Sequence, residues 1–96
     1  MNGVRGEVSA RLGGKDRRLC LTLGALAEIE TGLGIEGLDR LAERMRGLSA
    51  CDLIVVLAAL LRGGGEVALA DGIKEAAIDP RDAAEAVARG FAAAAT

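Results

Sequence analysis

The side chains able to attack or to move protons are few and scattered. Ser9, Ser49, Cys20 and Cys51 are the candidate nucleophiles, and each would need a base beside it. The chain has no His, which removes the commonest general base and the commonest transition-metal ligand. Cys20 and Cys51 lie far apart in the sequence and form no CxxC pair, so a zinc site has too few ligands. They are expected to be small buried thiols in a reducing cytoplasm rather than a disulfide. Glu28 and Glu30 are two positions apart on an expected helix and point in different directions, so they do not form an acid–base pair. Gly63-Gly64-Gly65 follows a helical pattern, whereas a phosphate loop joins a strand to a helix and carries a lysine. The three glycines read instead as a flexible stop, a hinge or a cap. These residues predict a protein that is not an enzyme, holds no cofactor and no metal, and works by binding other proteins.

Length and composition restrict the elements that could present a binding surface. Ninety-six residues fit one domain, 1–96, that buries roughly 60–70% of its unfolded surface. Hydrophobic residues make up 51% of the chain and aromatics 1%, the single Phe91. The interior must therefore be Leu, Ile, Val and Ala, which favours close helix packing over deep pockets. The 14 glycines raise chain entropy and predict modest stability for a lone monomer. A homo-oligomer or a bound partner would offset that. The start, Met1 to Ala10, has no apolar run and no look of a signal peptide. Leu53 to Leu61 falls short of the roughly 20 residues needed to cross a bilayer. The expected location is the cytoplasm.

Charge is distributed unevenly. Residues 1–20 carry Arg5, Arg11, Lys15, Arg17 and Arg18 against Glu7 and Asp16, a balance of +3. Residues 66–85 carry Glu66, Asp71, Glu75, Asp79, Asp82 and Glu85 against Lys74 and Arg81, a balance of −4. Opposite ends of this kind can attract between copies or steer a partner. The basic cluster is small and has no interleaved aromatics in a chain that is acidic overall, which argues against nucleic acid.

Patterning predicts an α+β fold, an N-terminal antiparallel β-hairpin packed on a small bundle of three to five helices. Over residues 5–12, Val8, Ala10 and Leu12 alternate with Glu7, Ser9 and Arg11. Gly13-Gly14-Lys15-Asp16 reads as the turn, and Leu19, Leu21 and Leu23 as the apolar face of the return strand, so the hairpin is expected over 5–23. That face is expected to pack on a helix over 50–62. Helices are predicted over about 23–32, 38–47, 50–62 and 80–94. Thr22 caps the first, which Gly32 and Gly34 stop. Leu38, Leu41, Ala42, Met45 and Leu48 give the second an apolar stripe. Ser49 and Asp52 form a capping box for the third, with Leu48 and Leu53 as a hydrophobic staple. The third is apolar all round from Leu53 to Leu61 and should be central. Asp71 is expected to cap a short helical turn through Lys74 to Ala77. Asp79-Pro80 opens the last helix, whose inner face is expected to be Ala84, Val87, Ala88, Phe91 and Ala95.

The run Leu-Thr-Leu-Gly-Ala-Leu-Ala-Glu-Ile-Glu at 21–30 follows a hairpin that opens Arg-Gly-Glu-Val. Leu48-Ser49-Ala50, Asp52-Leu53-Ile54 and Leu61-Arg62-Gly63-Gly64-Gly65 come after it in order. Over residues 4–65 this set resembles the gene transfer agent family of small phage-tail proteins. Members are described as tail assembly chaperones or as tail tube proteins. The resemblance implies a non-catalytic tail assembly factor that holds the tape-measure protein or the tube subunit before polymerisation. It carries over no catalytic residue. The preference for Arg over Lys suits a GC-rich bacterial genome.

Two surfaces are candidates for such binding. One is the outer hairpin, with Arg5, Glu7, Ser9, Arg11 and Arg18, because an edge strand offers unpaired backbone groups. The other is the helix over 38–47, with Leu38, Leu41 and Met45. The expected partners are phage-type tail proteins or a second copy of the chain. The alternatives to a chaperone are a structural tail component retained in a virion-like particle and a small regulatory protein-binding domain.

Overall fold

A computed structural model describes residues 6–95. It contains strands β1 (Glu7–Leu12) and β2 (Lys15–Cys20), then helices α1 (Leu23–Leu33), α2 (Leu38–Met45), α3 (Ala50–Gly63), α4 (Val67–Asp71) and α5 (Pro80–Ala94), with a 3₁₀ turn at Ile73–Glu75 before α5. The fold is α+β, as patterning predicts, with one antiparallel two-stranded sheet.

The hairpin turn is tighter than expected. Only Gly13 and Gly14 form the loop, at φ +63° and +84°, which is the mirror-image turn that matches strand twist and favours glycine at both positions. Lys15 and Asp16 are consequently strand residues, opposite Leu12 and Arg11. Val8 pairs with Leu19, Ala10 with Arg17 and Ser9 with Arg18. Ala10, Leu12 and Leu19 are buried, and this face lies on two helices rather than one. β2 packs on α3, while β1 packs on α5. Leu23, expected on the inner face of the return strand, instead opens α1 and is 82% exposed. The strand ends at Cys20 because Thr22 caps α1, its side chain accepting from the Ala25 N–H at 3.0 Å.

α3 is the central element, with Val56, Leu57, Ala58, Ala59, Leu60 and Leu61 all buried. Burying a leucine contributes about 1.5–3 kcal/mol relative to leaving it in water. Ser49 and Asp52 form the reciprocal capping box at its start. α1 crosses α3 closely at Gly32, where an added Cβ would come within 2.5 Å of Val55 Cγ1. Gly32 thus lies inside α1, and Gly34 in the left-handed conformation ends it. α5 meets α3 in the same way, with Gly90 against Leu60. That approach turns Ala83, Ala86, Val87 and Gly90 inward and leaves Ala84, Ala88 and Ala95 exposed, a rotation from the expected face. Asp71 ends α4 rather than capping a following turn, and its carboxylate accepts from Arg62 Nη2 at 3.1 Å.

Candidate protein-binding surface

The two edges of the sheet differ. In a hairpin closed by a two-residue loop, Leu12 and Lys15 exchange hydrogen bonds, and so do the pairs two and four residues further along. The backbone groups of Glu7, Ser9 and Arg11 on one strand, and of Asp16, Arg18 and Cys20 on the other, therefore point away from the hairpin. On the β2 side those of Arg18 and Cys20 are covered, while Asp16 near the turn is exposed. The Arg18 N–H donates to Glu66 Oε2 at 3.1 Å. The backbone of Gly63 and Gly64 lies directly on the Cys20 and Arg18 carbonyls, so an added Cβ at either glycine would overlap them. Glu66 also pairs with Arg17 Nη1 at 3.4 Å and with Arg18 Nε at 4.0 Å. Gly63 and Gly64 thus form a packed contact between the end of α3 and the edge of β2; the run stops α3 and Gly64 caps it, as read, but there it is held against β2 rather than acting as a hinge.

Along β1 no hydrogen bond to the outward backbone groups is made among the described residues, although Asp82, Glu85, Ala86 and Arg89 of α5 border Ala10 and Arg11 across an open groove of about 510 Å³. Ser9 and Arg11 are exposed, and Glu7 is half-buried. Arg11 Nη1 pairs with Asp16 at 3.5 Å across the turn end, both side chains well exposed. Glu7 pairs with Arg18 Nε at 3.7 Å. Glu7, Ser9, Arg11 and Arg18 therefore share the outer face of one open-edged sheet. Arg5 lies outside the described residues.

α2 divides its candidate residues. Leu38 is 66% exposed, Leu41 is buried at 4% exposure, and Met45 is half-buried against the core. Leu38 alone of the three presents its side chain to solvent. α2 is tied to the start of α3 by Arg44, which hydrogen-bonds Asp52. That bond, with partial opposition from burial, holds the Asp52 carboxyl below the usual carboxylate range and raises the Arg44 guanidinium.

The remaining chemistry is structural. Arg62 pairs with Glu28 of α1 and Asp71 of α4, at one end of an open groove of about 840 Å³ between α1, α3 and the 3₁₀ turn. Cys20 is buried, and burial and Glu7 together push its thiol pKa up. Cys51 is exposed, contrary to the expectation of two buried thiols. Among the described residues no three His, Cys, Asp or Glu side chains converge to hold a metal ion. No described helix is long and apolar enough to cross a membrane. Part of the charge asymmetry between the chain's ends is satisfied within the molecule, where Arg17 and Arg18 meet Glu66.

Glu66 and the glycine pair are the residues that sequence reasoning missed. The available signal was the acid placed directly after the glycines in a chain whose hairpin carries adjacent arginines. Neither a curated protein nor a solved structure matches the chain. A protein-family profile does, over residues 5–95, and its description is "Phage tail tube protein, GTA-gp10". With nearly the whole chain matched, the protein belongs to this gene transfer agent family of phage-tail proteins, and its role is structural or assembly-related within phage-type tails.

Proposed function

We propose that the chain is a non-catalytic tail assembly chaperone, which binds a tape-measure or tail tube subunit in the bacterial cytoplasm before polymerisation. The observation that supports this reading is the one-edged sheet. β1 offers the backbone groups of Glu7, Ser9 and Arg11 to an incoming strand, and main-chain hydrogen bonds of that kind give affinity without a pocket. β2 is covered at Arg18 and Cys20 by Gly63, Gly64 and Glu66. A polymer that grows by strand pairing needs an edge on each side of every subunit. A chain with one open edge caps a partner's strand and does not pass the pairing on. Exposed Leu38 on α2 supplies a second apolar contact. Arg11 and Arg18 tune the association rate, so Arg11→Glu slows binding more at low salt than at high salt.

The test is co-expression with neighbouring tail genes, followed by pull-down and gene deletion. Retention of a tape-measure or tube subunit, with tails failing to assemble in the deletion, is the expected result. Loss of both effects would overturn the chaperone reading in favour of a regulatory binding domain. The family's description as a tail tube protein favours a second reading, a component retained in the particle. Mass spectrometry of purified particles separates the two, since a chaperone is absent from them.

A further inference from the structure

We propose that β1 also pairs with β1 of a second copy, antiparallel about a twofold axis at Ser9, joining the two hairpins into one continuous sheet. This goes beyond the tail-protein reading, because it concerns the chain alone.

The outward backbone groups of β1 belong to Glu7, Ser9 and Arg11, as the matching outward Arg18 N–H on β2 shows by donating to Glu66. An antiparallel partner hydrogen-bonds through those residues and no others. If Ser9 faces Ser9 of the second copy, Glu7 faces Arg11 and Arg11 faces Glu7. Each facing pair is then of opposite charge, on the outer face of the sheet. Opposite charges directly across a strand pair stabilise it, and like charges destabilise it. A shift of two residues either way leaves fewer facing residues and breaks the double Glu–Arg match. Among the described residues this is the self-register with a double Glu–Arg match.

The neighbouring side chains are compatible with this arrangement. Arg11 already pairs with Asp16 on β2, so across the joined sheet one row reads Asp16, Arg11, then Glu7 of the second copy, alternating in sign. Both existing pairs, Arg11–Asp16 at 3.5 Å and Glu7–Arg18 at 3.7 Å, are long charge contacts; the Arg11 guanidinium is well exposed, while the Glu7 side chain is 19% exposed and would have to turn outward to meet it. On the inner face Val8 comes opposite Ala10 of the second copy. Val8 is only half-buried in the single chain although it packs on the core, and the pairing extends its cover. On β2 the cover at Arg18 and Cys20 blocks the equivalent pairing along that strand. The isologous contact is self-complementary, as a closed twofold dimer requires.

Light scattering coupled to size exclusion, on the purified full chain over a range of concentrations, tests the proposal without any tail protein. The wild type is expected to dimerise. Arg11→Glu places Glu against Glu twice per dimer and is expected to weaken it about tenfold or more. Glu7→Arg combined with Arg11→Glu restores both opposite-charge pairs and is expected to restore the dimer. Ser9→Pro removes an N–H that points away from the hairpin, where an edge strand tolerates proline, and is expected to give a folded monomer. In a Cys51→Ser background, Ser9→Cys is expected to crosslink two copies under mild oxidation, a readout that does not depend on the charge variants folding. A monomeric wild type at every concentration overturns the proposal. So does a dimer indifferent to Arg11→Glu, or a folded double variant that stays monomeric, or a Ser9→Cys variant that forms no crosslink.

Discussion

Arg44 and Asp52 are joined by two parallel hydrogen bonds, Nε to Oδ2 at 2.9 Å and Nη2 to Oδ1 at 3.3 Å. The same Oδ2 lies 3.4 Å from the Ser49 N–H, so one carboxylate closes the α3 capping box and fastens α2 to it. Planar two-point contact of this kind is the stronger form of an arginine–carboxylate pair. Asp52 is held below the usual carboxylate range, first by the Arg44 hydrogen bond. Its contribution to stability is therefore present above the ordinary carboxylate pKa and is lost as pH falls through the depressed folded-state value. Urea midpoints for the wild type and Asp52→Asn should differ at neutral pH and converge in acid. A constant difference at every pH would show that ionised Asp52 is not the source.

Glycines that look alike in the sequence should respond differently to the same change. Gly64→Ala drives a methyl group into the Arg18 carbonyl and should cost about 1–3 kcal/mol, as overpacking does. Gly47 has nothing within 4 Å of an added Cβ, and Gly47→Ala should change stability by less than about 1 kcal/mol, or raise it. Denaturant unfolding of the two variants is the measurement. Equal effects would contradict the packed edge contact.

Leu57→Ala should cost about 2–5 kcal/mol, because Leu57 is 2% exposed at the centre of α3 and truncation leaves a cavity. Leu38→Ser, at an exposed site on α2, should stay within about 0.5 kcal/mol of the wild type. If Leu38→Ser unfolds the chain, that residue belongs to the core and α2 offers no apolar docking point.

The cysteines should separate cleanly under a thiol reagent. Cys51 is exposed and should react in the native protein, whereas buried Cys20, with its pKa raised by burial and by Glu7, should react only after denaturation. Mass spectrometry should find one label per native chain and two per unfolded chain. Two labels under native conditions would place Cys20 in a locally open segment.

What was legible in the sequence follows the range of the forces involved. Thr22, the Ser49–Asp52 box and Asp79-Pro80 act within a few residues, and each starts a helix in the structure. The alternation of Val8, Ala10 and Leu12 is equally local and fixes which face of β1 turns inward. What was hidden depends on distant partners. Gly32, Gly63 and Gly64 read as stops in isolation, yet each, like Gly90, marks a close approach to an element far along the chain. The face of α5 could not be read from a run of alanines, because Leu60 and Gly90 set its rotation through packing rather than periodicity. Of the candidate site, the outer hairpin residues could be named in advance. The asymmetry between the two edges could not, since it needs Glu66 brought across 48 residues to Arg18.

With β2 covered at Arg18 and Cys20, strand docking at β1 as proposed would give the described residues a valence of one. Occupancy would then saturate, and excess protein would change how many complexes form rather than how long they grow. A tail protein and a second copy would then draw on the same vacancy. The supply of free edges would be set by their competition, with the dimer acting as a reservoir that a growing tail draws down.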